Sequence, residues 1–179
     1  MLDPAIGALL AGLFASLFAV AAAQKLRAPS RFTEALAAYR LVPAGVARWS
    51  VLVPVLEALL ALGLLIRATR VAAASTGTVL LVAYAAAIAV NLRRGRHDLA
   101  CGCGGPNERR PIACWMVARN LLLAVALGVA ALPWSPRPIE AADLLTIVVG
   151  TLIAALIYAS LDRLLSRVSP RGARLQGLG

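Results

Sequence analysis

Apolar and polar positions along this chain separate into long blocks instead of alternating. Runs rich in Ala, Leu, Val and Ile cover about residues 6–23, 51–66, 71–92, 112–132 and 144–161, and Arg, Pro, Gly or Ser punctuate the gaps. A bilayer core about 30 Å thick takes about 20 apolar residues in α-helix, so the runs predict five transmembrane helices, the second being the shortest. The fold class expected is all-α: a polytopic membrane helical bundle with a four-helix core plus a fifth C-terminal transmembrane helix. One domain then covers residues 1–165, and the basic stretch 166–179, "SRVSPRGARLQGLG", reads as a flexible tail.

The connections refine this picture. Residues 24–49, "QKLRAPSRFTEALAAYRLVPAGVARW", are too polar to span. Within them "PSRFTEALAAY", with Ser30 as N-cap ahead of Glu34, predicts a short amphipathic helix at the membrane interface. The Pro-rich "PWSPRPIEAAD" cannot continue a helix, and its Trp134 suits the headgroup level. Ala21–Ala23 resemble a signal-peptide cleavage site, but Asp3 precedes the first run and no Lys or Arg does, so a retained helix is expected.

Composition agrees: the 179 residues are 61% hydrophobic and only 5% aromatic, far more apolar than a soluble domain. The net charge of +10 is not a nucleic-acid signature here, because the Arg residues fall between the apolar runs, where they orient a chain in the bilayer. The lipid bilayer is therefore the expected partner, and nucleic acid is not. With the N-terminus outside, 14 Lys and Arg residues lie on the cytoplasmic side and 3 on the other. That places the C-terminus and the connection between the third and fourth runs in the cytoplasm.

This connection, "RGRHDLACGCGGPNERRPIAC", holds all 3 cysteines and the only histidine. Cys101 and Cys103 flank Gly102, and further glycines follow, which frees the backbone for a tight Cys-x-Cys ring. A disulfide of such forced geometry is readily reduced, as labile and catalytic disulfides are. Arg96, Arg109, Arg110 and the N-terminus of the next helix favour thiolate. Cys114, in the first turn of that helix, is a third thiol able to attack or resolve the pair, or else a small buried hydrophobe. A rival reading is metal: His97, Cys101, Cys103 and Cys114 form a His/Cys3 set suited to zinc or copper, although their spacing fits no familiar zinc pattern.

Ionisable side chains also fall inside the spans. Glu57 and Arg119 each lie six or seven residues past the cytoplasmic start of their runs, about 9–11 Å deep, and can pair if their helices are neighbours. Asn120 follows Arg119, Tyr84 falls near the same level, and Gln24 and Lys25 close the first run on that side. These six residues are read either as a register-fixing polar layer or as a pocket admitting a proton, a partner's thiol or a quinone head. No cofactor is certain, and nothing residue-specific demands the quinone.

The first helix ending in "QKL", then "RFTEALAAYRLVP", "VPVLEALLALGLL", the "CGC" loop and "ARNLLL" resemble, in order and spacing over about residues 5–130, the MauE family of membrane proteins, more distantly related to DoxX. The family's loop commonly reads CGCFG, where this chain has Gly104 in place of Phe. The resemblance implies a multi-pass protein of the bacterial inner membrane that assists maturation of methylamine dehydrogenase, a disulfide-containing client, alongside a thioredoxin-like partner. It carries over Cys101 and Cys103 as redox residues, and Glu57, Arg119 and Asn120 as intramembrane polar positions.

Together these readings point to a membrane thiol–disulfide oxidoreductase that passes reducing equivalents between thioredoxin-like proteins or a membrane carrier. The alternative is a non-catalytic metal-binding or assembly factor. One tension accompanies the first: an oxidant of exported proteins needs its cysteines outside, whereas the charge count puts them inside.

Overall fold

The computed structural model describes residues 3–41, 49–99, 111–135 and 137–175, with side chains described as far as residue 165. Among the described residues the architecture consists of six helices and no strand: α1 (Pro4–Arg27), α2 (Pro29–Ala38), α3 (Leu52–Leu65), α4 (Arg70–Arg93), α5 (Cys114–Ala130) and α6 (Ala141–Leu175). Local sequence sets several of the boundaries. Asp3 caps α1 by accepting the Ala5 N–H at 2.9 Å, and Pro4 occupies the first helical position, where its missing N–H costs nothing. The amphipathic helix α2 forms as expected, but Ser30 is not its N-cap. Ala28 holds that position, and Pro29 at the first turn starts the helix through its fixed φ.

The core of the bundle is made by α1, α3, α4 and α5. The closest packing is α4 on α5 and α1 on α3, with α3 and α4 joined as an antiparallel pair through a short turn. Phe14, Phe18, Leu60, Leu64, Ala74, Leu81, Ala124 and Leu127 fill the interior. Gly77 makes this possible: a Cβ there would lie 2.8 Å from the Leu127 side chain and 3.1 Å from the Phe18 ring, so only glycine lets α4 settle between them. The sixth helix stands outside this core and leans mainly on α1.

Among the described residues, three helices are long and apolar enough to cross a membrane: α1, α4 and α6 over Ala141–Leu165. The other two apolar runs are trimmed at both ends relative to the expected 51–66 and 112–132. With 14 and 17 residues, α3 and α5 reach about 21 and 26 Å, short of a full hydrocarbon core of about 30 Å. They complete the four-helix core without being full-length spans by themselves. At the other extreme, α6 carries its helical backbone beyond the expected span end at residue 161 to Leu175.

A second apolar cluster caps one end of the bundle. Tyr39, Ile88, Leu99, Ile112 and Met116 pack together where α4 ends and α5 begins. The Ile112 N–H donates to the Leu99 carbonyl at 2.9 Å, and both residues are buried. The chain therefore leaves and re-enters the bundle through a narrow neck at this end.

Candidate functional site

The helical period carries three polar side chains into the core just beneath this neck. In α1 the buried stripe Ala11, Phe14, Phe18, Ala22 ends on Lys25, one helix face continued by a cation. In α3 Glu57 falls on the stripe of Pro54, Leu60, Ala61 and Leu64. Lys25 Nζ reaches Glu57 Oε1 at 2.6 Å and Oε2 at 2.8 Å, and the Tyr84 hydroxyl of α4 donates to Oε1 at 2.8 Å. Exposure is only 5% for Lys25 and 1% for Glu57, so neither charge has water to solvate it. The rings of Phe32 and Tyr84 lie 5.5 and 5.6 Å from the ammonium and add cation–π attraction. Isolated, either charge would be prohibitively costly here; the pair persists because three hydrogen bonds and two ring faces replace the lost hydration.

Arg119 is not part of this cluster. Its guanidinium donates to Asp162 Oδ1 of α6 at 2.5 Å and lies 5.3 Å from the Trp115 ring centroid. The Glu57–Arg119 pairing that neighbouring helices would allow gives way to two separate pairs, because Lys25 sits on the helix that packs closely against α3, while Arg119 faces α6. Asn120 is buried and donates to the Met116 carbonyl of its own helix at 2.8 Å. Gln24 is half-buried and takes no part in the Lys25–Glu57–Tyr84 contact.

Sequence reasoning did not single out Asp162, although its place among Leu and Ala in "YASLDRLL" carried the same signal that marked Glu57. Asn91 was also missed. It is fully buried near the end of α4, donates to Ala87 O at 3.1 Å and accepts from Arg96 Nη1 at 3.1 Å.

Of the cysteine-loop candidates, Cys114 opens α5 as a free, exposed thiol. That exposure argues against its being a small buried hydrophobe. His97 is exposed at the foot of the neck. Cys101 and Cys103 lie outside the described residues, and so does the His/Cys3 arrangement that includes them. Among the described residues, no three His, Cys, Asp or Glu side chains gather as a metal site.

The opposite end of the bundle is tied by different charges. Arg137 Nη2 lies 3.2 Å from Asp3 Oδ1, and Nη1 lies 2.7 Å from Asp143 Oδ2. The Arg137 guanidinium and the Ala5 N–H hold the Asp3 carboxyl below the usual carboxylate range, and the two carboxylates raise the affinity of Arg137 for its proton.

Comparison with known proteins covers the same bundle. A family model described as "Methylamine utilisation protein MauE" matches residues 3–134, from the α1 cap to Trp134. Three proteins named methylamine utilization protein MauE are similar over most of their length. The one from Paracoccus versutus is 39% identical over 90% of this chain and 88% of its own. That from Methylophilus methylotrophus is 38% identical over 89% and 86%, and that from Paracoccus denitrificans 36% identical over 82% and 80%. No solved structure matches. Family match, relatives and helical architecture agree, and the chain, a helical membrane protein, belongs to the MauE family of methylamine utilisation proteins.

Proposed function

We propose that this chain is a multi-pass protein of the bacterial inner membrane that passes reducing equivalents by thiol–disulfide exchange through Cys101 and Cys103. The observation that carries the reading is the Cys-Gly-Cys sequence in the connection that leaves the bundle at the Leu99–Ile112 neck, with the exposed free thiol of Cys114 two residues past it. A thiolate of a dithiol protein, of thioredoxin-like type, attacks one loop sulfur. The Cys101–Cys103 bond breaks, a mixed disulfide forms, and the partner's second thiolate closes its own disulfide. Two electrons and two protons then reside on the loop as a dithiol. A second disulfide-bearing carrier takes them by the reverse sequence, restoring the loop bond. Cys114 stands near enough in sequence to resolve a mixed disulfide that stalls.

The named function of the relatives supports placing this exchange in methylamine utilisation. On this reading the client whose maturation it assists is the disulfide-containing methylamine dehydrogenase. The Arg distribution supports a cytoplasmic loop and an external N-terminus. In this orientation the loop meets a cytoplasmic thioredoxin-like donor first. Lys25, Glu57 and Tyr84 hold the helix ends beneath the loop in register.

Two measurements test the reading together. Cys101→Ser and Cys103→Ser variants, each leaving one loop thiol, are expected to trap a disulfide-bearing protein: the remaining thiolate attacks its disulfide, one partner sulfur leaves as thiolate, and the mixed disulfide is released by reductant. Both variants behaving as wild type in client maturation overturns the exchange. A membrane-impermeant thiol reagent applied to intact cells is expected to leave the loop unlabelled until the membrane is opened, and immediate labelling overturns the orientation alone.

A further inference from the structure

The bundle end remote from the neck divides its charges unevenly. Arg137 takes both nearby carboxylates, Asp3 and Asp143. Arg67 and Arg70, on the turn between α3 and α4 and the first residue of α4, have no carboxylate partner among the described residues. Arg70 is only 6% exposed. It donates from Nη1 to the Ala130 carbonyl at 2.6 Å, and its guanidinium lies 3.7 Å from the Trp134 ring centroid. The carbonyl end of α5 and the indole face offset part of one positive charge. They leave its Nε–H without an acceptor, and the buried Trp134 Nε1–H beside it lacks one too. Trp134 is held in place by Gly7 of α1, where a Cβ would stand 2.3 Å from the indole.

Arg67 is exposed and stands three residues before Arg70, on the α3–α4 turn. Two cations and unfilled donors at a helix N-terminus call for an anion. The margin of this corner says which kind. Leu65, Ile66 and Val71 are 65%, 54% and 49% exposed, and Leu132, past the end of α5, is 49% exposed. A free phosphate would be drawn by the charges but would gain nothing from those apolar side chains.

We propose that this corner seats one anionic phospholipid, its phosphate held by Arg67 and Arg70 and its acyl chains lying against Leu65, Val71 and Leu132. The site is independent of thiol exchange and sits at the other end of the bundle, so it stands or falls separately from the functional reading above.

Reconstitution into phosphatidylcholine nanodiscs doped with a phosphatidylglycerol that carries a photoreactive headgroup tests it, with adducts mapped on peptides. The wild-type chain is expected to form an adduct on the α3–α4 turn. Arg67→Gln leaves the Arg70 contacts to Ala130 and Trp134 in place, and should lower that adduct roughly fivefold, at about 1 kcal/mol per basic residue. Adducts on the basic end, near Arg93 and Arg94, serve as the internal standard and should not change. Arg137→Gln should leave the α3–α4 adduct unaltered. An equal turn adduct in wild type and Arg67→Gln overturns the proposal, as does equal labelling by a photoreactive phosphatidylcholine. If millimolar inorganic phosphate abolishes the adduct, the seat takes free anions and the lipid assignment fails.

Discussion

Lys25 at the end of α1 and Glu57 near the start of α3 meet in two contacts of 2.6 and 2.8 Å, across 32 residues of sequence and sealed from solvent. Removing one partner leaves the other as an uncompensated buried charge, which typically costs 3–5 kcal/mol, roughly half the stability of a small domain. Glu57→Gln is therefore expected to lower resistance to unfolding in detergent micelles sharply. Combining it with Lys25→Met removes both charges at similar volume and should recover most of the loss. A Glu57→Gln chain as stable as wild type would show that the pair contributes nothing to holding α1 against α3.

Tyr84 makes the third contact to the same carboxylate, at 2.8 Å. Tyr84→Phe keeps the ring near the ammonium and deletes only the hydroxyl, so it isolates one hydrogen bond to a charged group, worth about 1.5–3 kcal/mol. The expected loss is smaller than that of Glu57→Gln. In the double variant the two losses should not add, because the hydroxyl acts through the carboxylate that is already gone. Full additivity in a double-mutant cycle would count against a shared network.

The helices of this bundle were legible because hydrophobic blocks and their Arg and Pro boundaries are local features, set within a few residues. Polar residues toward one end of the bundle were legible for the same reason: Glu57 and Tyr84 lie six and eight residues inside their runs, and Lys25 closes the first run on that side. The choice of partner was not. Whether Glu57 meets Lys25 or Arg119 depends on which helices are neighbours, and α1 rather than α5 packs closely on α3. Helix ends were also blurred, since α3 ends and α5 begins inside their apolar runs, where the backbone is extended at Ile66 and Ala113. The network of Arg70, Ala130 and Trp134 left no trace in the sequence at all, since one of its members is a backbone carbonyl.

Arg119 and Asp162 join α5 to α6, a helix that otherwise leans mainly on α1. Both side chains are about one-fifth exposed, so the ion pair adds a modest amount to global stability. Its effect should instead be local. Asp162→Asn is expected to speed amide hydrogen exchange in the second half of the α6 span while exchange in α1 and α3 stays unchanged. Uniform protection of α6 in the variant would mean that contacts with α1 alone fix this helix.

At the other end Arg137 bridges Asp3 and Asp143, and this contact gives the fold a dependence on pH whose sign is determined. The Asp3 carboxyl is held below its ordinary value, first by hydrogen bonding to Arg137 and next by the Ala5 N–H. A carboxylate with a depressed pKa in the folded chain adds stability above its unfolded pKa, near 3.9, and loses that stability as pH falls through the lower folded value. Arg137 stays charged throughout, since its own proton affinity is raised. The unfolding midpoint of the wild-type chain should thus be flat from neutral pH down to about 5 as far as this contact is concerned, then fall below about 4. Arg137→Gln should start lower at neutral pH and fall less on acidification, because the cation that depresses Asp3 is missing. Parallel pH profiles for the two chains would show that Asp3 draws its depressed value from its position at the N-cap of α1, where the Ala5 N–H lies 2.9 Å away, and not from Arg137.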